Sequence, residues 1–399
     1  MKNLILGYTR GRNKWHGFSE ALKTAGQQVD LAIDTFDNIT GPYDRVWSMA
    51  ESMLPLQAEL EEKWGIQNIS KDTAAILTNK KKLDDFMVDL MPAIIPDSVI
   101  PTCLEDLDIF GDEAFCIKPV IGSGGKQSYD TSVAYMSYHN KESFMKSVPC
   151  DLLFQVNQKG FDDALFNNYT NYYMVQEHLH ANTLYTPYHY INEKGNIKTL
   201  FWLIANNVVN NIDENRFETK PMSFMTYPEL EVPSKVEYYS QYYFETIIDE
   251  LKIKNMFFSG PDFYWDGVNI KIIDCNPRIG SGLQIMNELH DGQYLPAILL
   301  DKPFAIKHSY MWTPAKLKPG RIKEIKDTSH IEKYFGQNHE LKAGQISTGY
   351  TWPAADISRP GDKESYARPI LTITGKNRSD MLDTYQTVCA QLQDCIVYD

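Results

Sequence analysis

The sequence predicts a protein of mixed α/β and α+β class: a parallel α/β unit at the N-terminus, a central unit built on a long hairpin, and a β-rich C-terminal lobe. Three observations point there. The first 33 residues alternate strand, turn, helix and strand, the mark of a small parallel sheet. Two apolar runs, residues 257–264 and 268–275, flank an Asp266-Gly267 turn signal. After Leu300, Gly320, Gly336, Gly344, Gly349 and Gly361 punctuate short extended segments.

The elements follow in order. Residues 3–8 form a buried strand, residues 16–25 a helix stopped by Gly26, and residues 29–33 a second strand. Residues 8–13 (YTRGRN) lie where such units carry binding loops but lack GxGxxG, so they read as a plain turn. Helices are expected at residues 54–64 and 79–90, the latter with Leu83, Phe86, Met87 and Leu90 at helical spacing. Pro92, Pro96 and Pro101 mark a crossing into the next unit. Strands follow at 114–120, 172–176, 188–191 and 197–204, the last two joined by NEKGN. A helix at 238–251 precedes the long hairpin, a glycine-containing loop spans 277–283, and a helix starts at 284. Residues 346–352 and 370–373 are extended, and a helix at 379–392 ends the chain. The expected division is 1–92, 93–300 with a nucleotide-covering part at about 114–180, and 301–399.

Composition narrows the function. The net charge of -13 over 399 residues opposes a phosphate backbone, so nucleic acid is not expected as a partner. No stretch has the length of a membrane-spanning helix and no signal-peptide pattern stands at the start, so no membrane association and a cytoplasmic setting are expected. The six cysteines form no CxxC pair and read as reduced structural thiols.

Three segments carry chemistry. Lys118 precedes Gly122-Ser123-Gly124-Gly125-Lys126; a lysine on a strand reaches phosphate oxygens, and glycines let backbone N–H groups approach them. Alone, such a turn is commonly a surface hairpin. Asp262 lies on the first hairpin strand; Asp274 and Asn276 lie two residues apart on the second and share a face. These oxygens suit magnesium, and Arg278 can stabilise a transferring phosphoryl group. Residues 174–179 read as a strand entering a hinge, where backbone groups and Glu177 can read an adenine edge. Cys275, between the metal residues, should face the core.

With these residues in view, the chain resembles the ATP-grasp superfamily, from about residue 79 to 300, most specifically through SGPDFYWDGVNIKIIDCNPRIGSG at 259–282. The resemblance implies that Asp262, Asp274 and Asn276 hold the metals bridging the ATP phosphates, and that Arg278 serves the reaction centre. The family often has Glu where Asp262 and Asp274 stand, so the backbone must sit closer to the cation here. The resemblance further implies phosphate contacts from Lys118 and Lys80, and an adenine hinge at Gln176, Glu177 and Leu179. Gly122, Ser123, Gly124 and Gly125 would close over the phosphates. No acidic residue stands near Tyr185 and Thr186, where ribose is often bound. Arg216 is the candidate for holding the substrate carboxylate or the acyl phosphate, in a stretch that reads as loop. The phrases LKPGRIKEI, ELKAGQ and TITGKNRSDML resemble the C-terminal lobe of amino-acid-ligase-like and biotin-carboxylase-like members.

The implied function is an ATP- and magnesium-dependent carboxylate–amine ligase, with manganese as an alternative metal. Its substrates are a small carboxylic acid or amino acid and an amine, joined through an acyl phosphate. The alternatives are an enzyme activating bicarbonate or formate, and a nucleotide-binding protein without turnover. A homodimer is the default oligomer by frequency alone.

Overall fold

A computed structural model describes residues 1–9, 12–121, 137–147, 153–154, 157–158, 173–178, 183–211, 214–226, 231–335, 341–347 and 369–399, with the backbone alone at 12–14, 207–211 and 216–224. The N-terminal sheet has order β2-β1-β3, all parallel: β1 (Lys2–Gly7), β2 (Gln28–Ile33) and β3 (Arg45–Ser48). Leu4, Ile5 and Leu6 are consecutive and all buried, as expected of a strand covered on both faces. α1 (Arg12–Thr24) makes the crossover. A 3-10 turn at Glu51–Met53 leads into α2 (Leu54–Trp64), which ends on Gly65 at φ +73.

Two short helices then carry the chain to the central unit. In α3 (Lys71–Leu77), Ser70 accepts the Thr73 N–H at 3.0 Å; in α4 (Lys80–Val88), Asn79 accepts the Lys82 N–H at 3.0 Å. Lys80 is therefore the first residue of its helix, and the Lys80 N–H donates to the Val120 carbonyl at 2.9 Å.

The central sheet contains β4 (Ser98–Val99), β5 (Phe115–Pro119), β6 (Ser137–Tyr138), β7 (Tyr173–Glu177), β8 (Thr183–Ile191), β9 (Ile197–Asn211), β10 (Arg216–Met225), β11 (Met256–Trp265) and β12 (Ile270–Asn276). Its order is β12-β11-β8-β9-β10-β6-β5-β7-β4. β13 (Ser309–Pro314) pairs with β10, and β16 (Ile370–Gly375) pairs with β13, so the C-terminal region extends this sheet. A separate sheet joins β15 (Ile346–Ser347), β14 (Gly320–Ile325) and β17 (Ile396–Tyr398). The remaining described helices are α5 (Lys141–Ser147), α6 (Ser234–Leu251), α7 (Ser281–Leu289), α8 (Tyr294–Leu299) and α9 (Arg378–Asp394). The largest core packs α6 (Val236, Tyr243, Phe244, Ile247) with α3 and α4 against Phe258, Phe263 and Ile272 of the hairpin.

The mixed fold class is as the sequence predicts. Several elements differ. Residues 188–191 and 197–204 belong to β8 and β9, which run longer, because polar stretches such as Asn206–Asn207 are carried by antiparallel pairing with β10. Arg216, expected in a loop, opens β10 opposite Tyr138. α7 starts at Ser281 rather than 284, with Gly280 in extended conformation as its N-cap. Among the described residues, no helix is long and apolar enough to cross a membrane.

Candidate functional site

The long hairpin is irregular where its polar residues stand. Ser259 pairs with Asn276, Asp262 with Asp274 and Phe263 with Ile272. One extra residue is inserted on β11 between the first two pairs, and one on β12, Ile273, between the last two. Gly260 supplies the inserted bend at φ +113; a Cβ there would lie 3.3 Å from both the Asp262 nitrogen and the Asp274 carbonyl oxygen. The result sets the two aspartates directly opposite each other.

The same irregularity frees the Ile273 carbonyl from the ladder, and Lys118 Nζ donates to it at 2.6 Å. Lys118 is buried on β5, so the opposite end of the sheet meets β12 at this point. A second link joins the same ends: Lys271 Nζ lies 3.2 Å from Glu177 Oε2. The sheet thus curls until β5 and β7 face β12. Lys80, at the tip of α4, enters from between them, with Nζ 3.8 Å from Asp274 Oδ1.

Asp262 is held by Thr186, whose hydroxyl donates to Oδ1 at 2.6 Å. Burial pushes its carboxyl up to about 7, against the hydrogen bond from Thr186 and with Asp274 adding to the rise. Arg278 Nη2 donates to Asn276 Oδ1 at 3.1 Å, and Nε donates to Glu51 Oε1 at 2.9 Å. Cys275 faces away into the core, its thiol pushed well up by burial.

The sequence-derived residues therefore divide. Lys80 and Asp274 line one cleft, and Lys118, Asp262, Asn276 and Arg278 are joined to its wall by the contacts just described. Gln176 and Glu177 stand at its side on β7. Glu177 does not present a bare carboxylate: besides Lys271, Oε2 accepts the Asp97 N–H at 3.4 Å. Gly122, Ser123, Gly124, Gly125 and Leu179 lie outside the described residues, as does the side chain of Arg216.

Three residues at the cleft carry no motif signal. Asp84 lies one turn after Lys80 and accepts from Gln176 Nε2 at 2.9 Å; burial raises its carboxyl, and the Lys118 charge lowers it. The i,i+4 spacing from Lys80 was the available clue. Glu51 follows β3, whose parallel pairing the sequence reading missed; residues just beyond such strands are where ligands gather. Thr186 alternates inward on β8, a position shared by many ordinary strand threonines.

Asp262, Asp274 and Asn276 suit a hard divalent cation: two carboxylates in register with a carboxamide beside them, one of the carboxyls raised by burial. No group of three His, Cys, Asp or Glu gathers among the described residues, so any such site is completed by the carboxamide and by ligand oxygens.

No protein-family model matches the sequence, and no curated protein does. Solved structures match along the whole chain. An L-amino acid ligase from Bacillus licheniformis superposes with TM-score 0.64 at 12% identity, covering 100% of this chain and 99% of that one. A phosphoribosylglycinamide synthetase from Anaerococcus prevotii gives 0.55 at 11%, covering 100% and 99%. An N5-carboxyaminoimidazole synthetase from Staphylococcus aureus, complexed with ADP, gives 0.57 at 11%, covering 99% and 98%. At such identities the likeness is one of fold.

Proposed function

We propose that this chain, which has the ATP-grasp fold, uses ATP to activate a small carboxylic acid or amino acid and joins it to an amine, releasing ADP and phosphate. The observation that carries the reading is the meeting of two cations from one side of the cleft, Lys80 and Lys118, with Asp262, Asp274, Asn276 and Arg278 from the other.

Lys80 and Lys118 balance the triphosphate charge and orient it. Both are held in advance, Lys80 by its place at a helix start and Lys118 by the Ile273 carbonyl, so little reorganisation accompanies binding. Asp262, Asp274 and Asn276 would hold magnesium, or manganese in its place, which when bound neutralises charge on the phosphates. A carboxylate oxygen of the substrate attacks the γ-phosphorus, and ADP departs. Arg278 offsets charge on the transferring group. The amine then attacks the acyl carbon, phosphate leaves, and the amine proton passes to solvent. The chain needs no covalent nucleophile, in keeping with a Cys275 thiol turned to the core.

The L-amino acid ligase likeness supports an amino acid as the activated acid, with Arg216 the candidate for its carboxylate. Glycines 122, 124 and 125 with Ser123 are the proposed cover over the phosphates, and Gln176, Glu177 and Leu179 the proposed adenine hinge. A cytoplasmic setting and a homodimer complete the reading.

Pure protein is incubated with magnesium, ATP and pooled amino acids and small carboxylic acids. ADP and phosphate are followed, and new products are sought by mass spectrometry. Release of both with a condensed product is expected. AMP formation would sink the acyl-phosphate route, and an accumulating phosphorylated product would indicate a kinase.

A further inference from the structure

We propose that Glu51 is a positioning residue that fixes the guanidinium of Arg278, which makes the N-terminal unit part of the reaction centre. The inference rests on the role given above to Arg278.

The two residues are 227 positions apart, yet Arg278 Nε donates to Glu51 Oε1 at 2.9 Å. Their side chains are 14% and 8% exposed, so the pair is largely removed from water. A buried carboxylate without a partner is costly, and Arg278 is its cation. The guanidinium has five N–H bonds. Among the described residues, Glu51 takes the one on Nε and Asn276 takes one on Nη2. Three remain, both of those on Nη1 included, and a substrate oxyanion can take them. The group is thus anchored at two atoms and available at a third.

Glu51 stands on a stiff platform. It opens a 3-10 turn in which the Met53 N–H donates to the Ala50 carbonyl at 3.0 Å, and the Ser48 N–H just before it is bound by Gln57 Oε1 at 3.1 Å. Beside the ion pair, Trp47 and Met49 pack in one apolar cluster with Ile279 and Leu283, the residues that follow Arg278. The strand that presents the glutamate and the loop that presents the arginine are therefore fixed to one another. A guanidinium held this way need not reorganise as negative charge develops.

The test is a four-member cycle of wild type, Glu51→Ala, Arg278→Ala and the double variant, with Glu51→Gln beside it. Glu51→Ala is expected to lower kcat for substrate-dependent ADP release by about 100-fold, with KM for ATP within about threefold. Glu51→Gln keeps an oxygen for the Nε–H and should recover about tenfold of that loss. In the Arg278→Ala background, Glu51→Ala should change kcat by less than about twofold, because the residue acts through the arginine. A merely structural glutamate would cost as much in that background as in wild type, which overturns the proposal.

A second readout does not need turnover. The Arg278 Nε–H resonance, assigned by its loss in Arg278→Lys, should exchange slowly in wild type and Glu51→Gln and rapidly in Glu51→Ala. Equal exchange in all three overturns the pairing. If Glu51→Ala does not fold, Glu51→Gln decides: a kcat equal to wild type refutes the role of the charge. Wild-type protein inert toward every substrate would count against the ligase reading alone, and the exchange measurement would still decide the role of Glu51.

Discussion

Two carboxyls in this molecule, Glu61 on α2 and Asp262 on β11, are both driven up to about 7 by burial, and they are chemically opposite. Glu61 is fully buried and surrounded by donors: Gln57 Nε2 and Asn68 Nδ2 at 3.0 Å to Oε1, and the Ile69 N–H at 3.2 Å to Oε2. Asn68 in turn accepts from Asn255 Nδ2 at 2.8 Å, which ties α2 to the start of β11. Among the described residues Asp262 has one donor, Thr186, and a second carboxylate opposite. The shift alone does not separate structure from chemistry; the donor inventory does. Glu61 is complete within the fold, whereas the Asp262–Asp274 pair leaves room for the cation proposed above.

The largest expected effect separates the two directly. Asp274→Asn should reduce substrate-dependent ADP release about 10³-fold, while the thermal midpoint stays level or rises because the facing carboxylates no longer repel. Glu61→Ala should do the reverse. It strands three buried donors and should cost about 3 kcal/mol in urea unfolding, with kcat per folded molecule within about twofold of wild type. If Glu61→Ala instead spared stability and removed turnover, the contrast would fail.

The next effect is on pH. Each carboxyl rises from its ordinary value, 4.5 for Glu61 and 3.8 for Asp262, to about 7 in the fold, so the folded chain holds each proton more tightly. The contribution is complete below the ordinary values and is lost as pH rises through about 7. For Glu61 the loss amounts to about 3 kcal/mol at most. Stability should thus fall between pH 5 and pH 8, and Glu61→Gln should flatten the Glu61 share. Magnesium with ATP should abolish the Asp262 share only, since a bound cation keeps that group ionised. Urea midpoints at pH 5, 6, 7 and 8, with and without magnesium-ATP, measure both. A slope that Glu61→Gln leaves unchanged would remove Glu61 from the account.

The same contrast explains what the sequence made legible. The shared placement of Asp262, Asp274 and Asn276 on one hairpin, with Arg278 just beyond it, is legible because two apolar runs around an Asp-Gly turn fix both the hairpin and the alternation of its faces. Lys118 was readable for a related reason, as a cation in an otherwise apolar strand. What alternation could not give was the pair of insertions around Gly260 and Ile273 that aligns the aspartates and turns a carbonyl toward Lys118. Such irregularities depend on the partner strand. Glu51 and Asp84 carry no motif signal in the sequence, because their partners, Arg278 and Gln176, stand 227 and 92 positions away. Arg216 lies on a strand rather than in a loop because its polar flank becomes strand only by pairing with β6 and β9.

The smallest effect sharpens the contrast at a single bond. Thr186→Val removes the one donor described for Asp262 and keeps the side-chain shape. The hydroxyl lowers the carboxyl's pKa, so its loss should raise it further. At pH 7 more of the Asp262 population is then protonated, and apparent magnesium affinity in the presence of ATP should weaken by about threefold to tenfold, the worth of a net hydrogen bond of about 1 kcal/mol. At pH 9 the carboxyl is ionised in both proteins, so the two affinities should converge. The equivalent loss at Glu61, Gln57→Leu, should leave magnesium affinity unchanged at either pH and appear only in unfolding. A Thr186→Val deficit that persisted undiminished at pH 9 would mean the threonine acts by shape rather than by holding the charge.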